Sequence, residues 1–207
     1  MLFPYRAQAI GPDDFLYSYD KIPVERTAMT EPGLPATVLR LPMTYGPGDP
    51  FRRLSPYLKR MDDGRPTIRL DEGLARWKCP RGYVEDVAAA IALAIEDDRA
   101  TGRIYNIAEP TALTEADWVR RVGEAVGWRG RVETVPVGRI PVPLDFSQSL
   151  DMSSGRIREE LGLAESITIA EALERTIAWE RANPPEQPTS LGILDDEPET
   201  IGESGHP

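Results

Sequence analysis

The sequence predicts an α/β protein built on a parallel sheet, and three observations carry that prediction. Ala36-Thr37-Val38-Leu39-Arg40-Leu41 is a short, mostly apolar, partly β-branched run bounded by prolines, the pattern of a strand buried in a parallel sheet. Val84, Val87, Ile91 and Ile95 recur at helical spacing with alanines between them, so a helix with one buried face and close packing through small residues is expected. Strand-like and helix-like stretches succeed one another along most of the 207 residues, as they do in open α/β sheets.

Residues 1–14 read as a loop, with Pro4, Gly11-Pro12 and Asp13-Asp14 as turn formers. A helix is expected over residues 15–29 with Pro23 in its interior, where a missing hydrogen bond kinks the helix or marks a restart. Residues 42–50, Pro-Met-Thr-Tyr-Gly-Pro-Gly-Asp-Pro, cannot continue as strand or helix, so an irregular, rigid loop is expected to leave the C-terminal end of the 36–41 strand. In open α/β sheets that edge is where ligands bind. A helix over 51–63 ended by Gly64, a short strand over 67–70 and a basic, aromatic-rich connection over 76–83 follow.

Residues 103–108 and 132–137 read as strands. Thr114 with Asp117 resembles a capping box and opens a helix bearing Trp118, Val122 and Val126, stopped by Gly127. Ser153 or Ser154 caps a short helix ending at Leu161-Gly162, and Thr168 with Glu171 opens a helix with Ile169, Leu173 and Ile177 on one face. Two units are expected: a globular part over 1–183, and an acidic, proline-rich tail over 184–207 that is disordered, with Leu191-Gly192-Ile193-Leu194 as its apolar handle.

The formal charge of −10 is unevenly placed: six acids and no Lys or Arg lie between Pro184 and Pro207, which leaves −4 on the first 183 residues. Basic residues are scattered and outnumbered, so nucleic acid is not an expected partner. Cys79 is the single cysteine and His206 the single histidine, so an intramolecular disulfide and a structural zinc site are excluded. The longest apolar run, residues 87–95, is far too short to span a bilayer, and the N-terminus lacks a signal pattern, so a cytoplasmic protein with no membrane partner is expected.

Chemistry enters at Tyr17-Ser18-Tyr19-Asp20-Lys21. In a helix, Tyr17 and Lys21 share a face one turn apart. A phenol titrates near pH ~10, and an adjacent fixed positive charge stabilises the phenolate and lowers that value toward neutrality, which makes it a usable base. Lysine is scarce here, Lys21, Lys59 and Lys78 being all there are. The same spacing also suits a surface helix with a phenol packed on an alkyl stem.

Several separate stretches then point one way. Tyr17-x-x-x-Lys21-x-x-x-Glu25, Leu39-Arg40-Leu41-Pro42-x-x-Tyr45-Gly46-Pro47-Gly48-Asp49, Tyr83-Val84-Glu85-Asp86-Val87-Ala88, Ile104-Tyr105-Asn106-Ile107 and Asp151-x-Ser153-x-x-x-Ile157-Arg158-x-Glu160-Leu161-Gly162 resemble the extended short-chain dehydrogenase/reductase family, the NAD-dependent epimerase/dehydratase group. They occur in the family's order and at about its spacing. The resemblance implies the C-terminal part of a Rossmann-type parallel sheet plus a small α/β substrate-binding subdomain. It makes Tyr17 the catalytic tyrosine and Lys21 the lysine that lowers its pKa and hydrogen-bonds the nicotinamide ribose of NAD or NADP. Pro42 lies against the nicotinamide, and Tyr45-Gly46-Pro47 opens the substrate region. The implied activity is oxidoreduction at a hydroxyl or carbonyl carbon of a sugar-nucleotide-like or other small substrate.

The chain also departs from the family. It has no glycine-rich cofactor fingerprint anywhere and no Ser or Thr before Tyr17 to polarise a substrate carbonyl. What is present looks like the later part of the fold, on the order of 100 residues short if several βα units are missing. An inactive fragment, a half completed by a complementing chain or a homodimer, and a non-catalytic module that binds a protein through an exposed sheet edge or its acidic tail are all consistent with that reading. Arg76 and Arg81 could clamp an anionic substrate group or form a solvated strand end. Cys79, beside Lys78 and Arg81, is read as a packed small hydrophobe.

Overall fold

The computed structural model describes residues 20–137 and 149–185, together with Asp13, Phe146 and the pair 193–194. Helix α1, Ile22–Thr30, has Pro23 in its first turn, where a missing amide proton costs no helical bond. The Ile22 amide donates to the Asp20 carboxylate at 2.9 Å. The expected interior proline is thus a helix start, and the part of that expected helix before residue 20 lies outside the described residues.

Strand β1, Val38–Arg40, runs parallel to β5, Ile104–Asn106, with Arg40 opposite Asn106. The predicted strand is present, but it is half-buried with Arg40 exposed, not fully buried, because β5 is its one strand neighbour among the described residues. Strand β2, Met43–Tyr45, runs parallel to β4, Arg81–Tyr83. This corrects the expectation that residues 42–50 hold no strand. Three residues between Pro42 and Pro47 suffice for pairing, since each proline falls outside the ladder.

Helix α2, Ser55–Asp62, is followed by Gly64 at φ +73°. Strand β3, Thr67–Asp71, pairs in parallel with β6, Arg131–Val135, and antiparallel with β7, Ile193–Leu194. β7 falls within the expected apolar handle of the tail. Asp71 caps α3, Glu72–Arg76, by accepting from the Gly73 amide at 2.8 Å. Neither α3 nor β4 was anticipated, because elements of five and three residues are too short for periodicity to show.

Helix α4, Val84–Glu96, buries Val87, Ala90 and Ala94, while Ile95 is 79% exposed. The expected stripe is therefore rotated: Ala90 and Ala94 face inward with Val87 and let the helix approach closely, while Ala88, Ala89 and Ala92 are exposed. A 3-10 turn, Asp98–Ala100, leads to β5. Helix α5, Glu115–Val126, is capped by Thr114, whose hydroxyl oxygen accepts from the Asp117 amide at 3.1 Å, and it stops at Gly127 in the left-handed region. Helix α6, Gly155–Leu161, has Ser154 at its N-cap, but the capping bond comes from Ser153, whose hydroxyl accepts from the Gly155 amide at 3.2 Å. Thr168 caps α7, Ile169–Ala182, through the Glu171 amide at 3.2 Å.

Two apolar clusters fill the interior. One gathers Trp118, Val119 and Val122 of α5 with Ile68 and Leu70 of β3, Leu58 of α2, and Leu173 and Ile177 of α7. The other joins Val87 and Ala90 of α4 to Tyr105 of β5 and to Ile157 and Leu161 of α6. Among the described residues no helix is long and apolar enough to cross a membrane.

Candidate active site

A groove of about 270 Å³ opens where the chain leaves β1 and passes through β2. Its walls include Leu41, Pro42, Thr44 and the turn from Tyr45 to Phe51. Gly46, at φ +140°, packs so close to α4 that an added Cβ would sit 2.5 Å from Val84 Cγ1. Asp49 organises the far side of the turn: its Oδ1 accepts from the Phe51 amide at 3.0 Å and its Oδ2 from the Arg53 amide at 3.1 Å. Arg53 Nη1 donates to Asp49 at 2.6 Å and to the Thr44 carbonyl at 2.8 Å. Arg52 stands at φ +50°, its guanidinium 4.1 Å from the Trp179 ring centre and 3.4 Å from the Glu180 carboxylate.

Lys21 is exposed and precedes the first residue of α1. Its carbonyl accepts the Glu25 amide at 3.0 Å, and Glu25 is held by Arg40 at the end of β1 through two bonds of 2.8 and 2.6 Å. The turn that carries Lys21 therefore lies at the same end of β1 from which Pro42 and the groove begin. Tyr17 lies outside the described residues.

Tyr45 borders the groove but is only 1% exposed. Its ring packs edge-on against Trp118 at 4.9 Å and tilted against Tyr83 at 5.8 Å. Its hydroxyl donates to Glu109 at 2.8 Å. Burial, then the Glu109 charge, drive the phenol far above its ordinary value. Arg81 is buried, lies over the Trp118 ring at 4.5 Å and is ion-paired with Glu115. Glu115 also accepts the Tyr57 hydroxyl at 2.7 Å. Arg76 instead makes an exposed ion pair with Glu72 at 2.7 Å. Among the described residues the two arginines share no partner. Cys79 is buried beside Leu74 and Trp77, where it packs as a small apolar side chain, and burial pushes its thiol up to about 12.

Glu109 and Glu115 were missed in the sequence. An acid in a helix's first turn reads as a partner of the helix dipole, and only the fold brings Glu115 under Arg81, thirty-four positions away. Among the described residues no group of three or more His, Cys, Asp or Glu side chains is arranged to hold a metal ion.

Parallel strands with a groove at their C-terminal end, and a lysine at the start of a helix fastened to that end, are the layout of a Rossmann-type α/β protein, a fold class whose ligands bind at the strand edge. A family described as NAD dependent epimerase/dehydratase matches residues 10–108. The dTDP-glucose 4,6-dehydratase of Streptomyces niveus is 32% identical over 158 residues, covering 73% of this chain and 43% of that protein. DesIV, a dTDP-glucose 4,6-dehydratase from Streptomyces venezuelae solved with NAD bound, aligns with a TM-score of 0.58 and 27% identity, covering 77% of this chain and 48% of that one. The Bordetella bronchiseptica enzyme WbmF, solved with NAD+ and UDP, aligns with a TM-score of 0.63 and 26% identity, covering 84% and 55%. The chain belongs to the NAD-dependent epimerase/dehydratase family, within the extended short-chain dehydrogenases/reductases. It spans about half the length of the curated relatives it matches, from 43% to 53%.

The donor set tests the cofactor that this family implies. Exposed Lys21, half-exposed Leu41 and Pro42, and the apolar groove beyond them suit the nicotinamide and its ribose. No glycine-rich turn for a pyrophosphate occurs in these 207 residues. The residues present fit one end of the dinucleotide.

Proposed function

We propose that this chain supplies the catalytic residues and the substrate side of an NAD(P)-dependent oxidoreductase acting at a hydroxyl or carbonyl carbon of a nucleoside-diphosphate sugar. The observation that carries the reading is the Arg40–Glu25 pair, which holds the Lys21 turn at the end of β1 where the Pro42 groove begins. In this reading Tyr17, four residues before Lys21 in the sequence, takes the substrate hydroxyl proton as phenolate. The Lys21 charge keeps that phenolate accessible near neutrality and hydrogen-bonds the ribose. NAD or NADP against Pro42 supplies the hydride acceptor. Residues 45–47 face the substrate through the turn backbone, since the Tyr45 ring is in the core. Of the two arginines, Arg76 is the one assigned an anionic substrate group, because an exposed i,i+4 pair exchanges partners at little cost.

The test uses the protein as its native cell makes it, with NAD or NADP and dTDP- or UDP-sugars, followed by reduced-nicotinamide absorbance and product chromatography. Turnover is expected, and Tyr17→Phe should abolish it with the circular dichroism unchanged. Unchanged turnover in that variant overturns the assignment.

A second reading has its own support. Ile22, Val24, Leu34 and Leu41 are 48–65% exposed around α1 and β1, an apolar surface suited to a complementing chain or a second copy. Sedimentation of the isolated chain tests the second copy, and a monodisperse monomer at all concentrations removes it and leaves only the complementing chain.

A further inference from the structure

Two of the large apolar side chains exposed among the described residues share one groove. Leu41 is 48% and Phe51 67% exposed, and both line the groove that begins at Pro42, with Pro47 and Pro50 on the same walls. A lone exposed apolar side chain needs no explanation, whereas several gathered in a concave site mark a surface kept for a ligand. The groove also has no spare charge. Asp49 and Arg53 are the charged residues on its described walls, and they are paired with each other at 2.6 Å. It therefore suits an uncharged ring better than a diphosphate.

Phe51 is exposed but held. Its amide donates to Asp49 at 3.0 Å, and the Arg53 guanidinium lies over its ring, 4.6 Å from the centre. That guanidinium is itself fixed by the Thr44 carbonyl at 2.8 Å and by Asp49. Arg53 thus takes one face of the ring and leaves the other for a ligand. A side chain already clamped loses little further rotamer freedom when a ligand stacks on it.

We propose that Phe51 is a specificity-determining residue whose free face stacks against the C–H face of the sugar ring that carries the reacting carbon. The proposal rests on reading the groove as the substrate side of a nucleotide-sugar oxidoreductase. Hydride transfer needs that carbon beside the nicotinamide, which the same reading sets against Pro42, so the sugar, not the base, enters the groove that begins there. A groove of about 270 Å³ holds one ring; sites that enclose larger ligands run from about 300 to 1,000 Å³. A sugar with its C–H bonds gathered on one face gains contact with the phenyl ring. One that turns a hydroxyl to the phenyl loses that hydroxyl's water without a replacement partner, and binds less well.

Calorimetric titration of UDP, dTDP, UDP-glucose and dTDP-glucose into the protein as its native cell makes it, with NAD present, tests this. Phe51→Ala should weaken the two nucleotide sugars by about three- to tenfold and leave UDP and dTDP unchanged. Phe51→Trp, which keeps an aromatic face, should bind all four as the wild-type protein does. Three results overturn the proposal: nucleotide sugars bound equally well by Phe51→Ala, UDP and dTDP weakened as much as the sugars, which puts the base on the ring, or Phe51→Trp no better than Phe51→Ala. Wild-type protein that binds neither nucleotide sugar overturns the enzymatic reading and this proposal together. Wild-type protein that binds them no better than Phe51→Ala overturns this proposal alone, so the two failures are distinct.

Discussion

Arg40 at the end of β1 grips both carboxylate oxygens of Glu25 on α1, Nε to Oε1 at 2.8 Å and Nη2 to Oε2 at 2.6 Å. This side-on pair joins the two stretches that carry the family's chemistry, the Tyr17-to-Glu25 segment and the Leu39-to-Asp49 segment. The hydrogen bond from Arg40 holds the Glu25 carboxyl below its ordinary value. Its stabilisation is complete above the unfolded-state value and is lost as pH falls through the lower folded-state value. Arg40 is half exposed, so a double-mutant cycle with Glu25→Gln and Arg40→Met in urea unfolding should give about 0.5–1 kcal/mol, reduced by salt. A coupling near zero at neutral pH and low salt would show that the pair does not fasten α1.

The Arg81–Glu115 pair is buried on both sides. Glu115→Ala leaves an uncompensated guanidinium and an orphaned Tyr57 hydroxyl in the core, and should cost about 3–5 kcal/mol in equilibrium unfolding. The double variant Arg81→Met with Glu115→Leu removes both charges and should recover most of that loss. A double variant as unstable as Glu115→Ala would point to packing, not charge, as the cause.

Arg52 has its backbone at φ +50°, a conformation that costs a residue with a Cβ roughly 1–2 kcal/mol. Arg52→Ala loses the contacts to Glu180 and Trp179 and keeps the strain, whereas Arg52→Gly loses the same contacts and relieves it. The glycine variant should melt at the higher temperature of the two, by an amount equivalent to about 1 kcal/mol. The reverse order would show that the turn is unstrained.

At Gly46 an added Cβ would lie 2.5 Å from Val84 Cγ1 and 3.2 Å from the Tyr83 ring. Gly46→Ala should destabilise by about 1–3 kcal/mol as the turn lifts from α4, and Gly46→Ala combined with Val84→Ala should regain part of it. No gain from the second substitution would place the cost in the backbone angle alone.

The sequence by itself determined where most elements lie and which family they serve. Caps at Thr114 and Thr168, stops at Gly64, Gly127 and Gly162, and the run around Val38 are local signals, set by backbone hydrogen bonding and side-chain shape within a few residues. Tyr17, the expected base, is legible in sequence alone, being outside the described residues, while the structure ties the helix that follows Lys21 to the end of β1 through Glu25 and Arg40 and puts Pro42 on the wall of the groove. Only the tertiary structure decided that β2 and β4 pair, that Ala90 and Ala94 of α4 face inward, and that Arg81 is a core strut while Arg76 stays outside. It also decided that Tyr45 turns its hydroxyl to Glu109, 64 positions along the chain. The reason is physical: a three-residue strand and a buried ion pair gain their free energy from partners distant in sequence, so no local pattern records them.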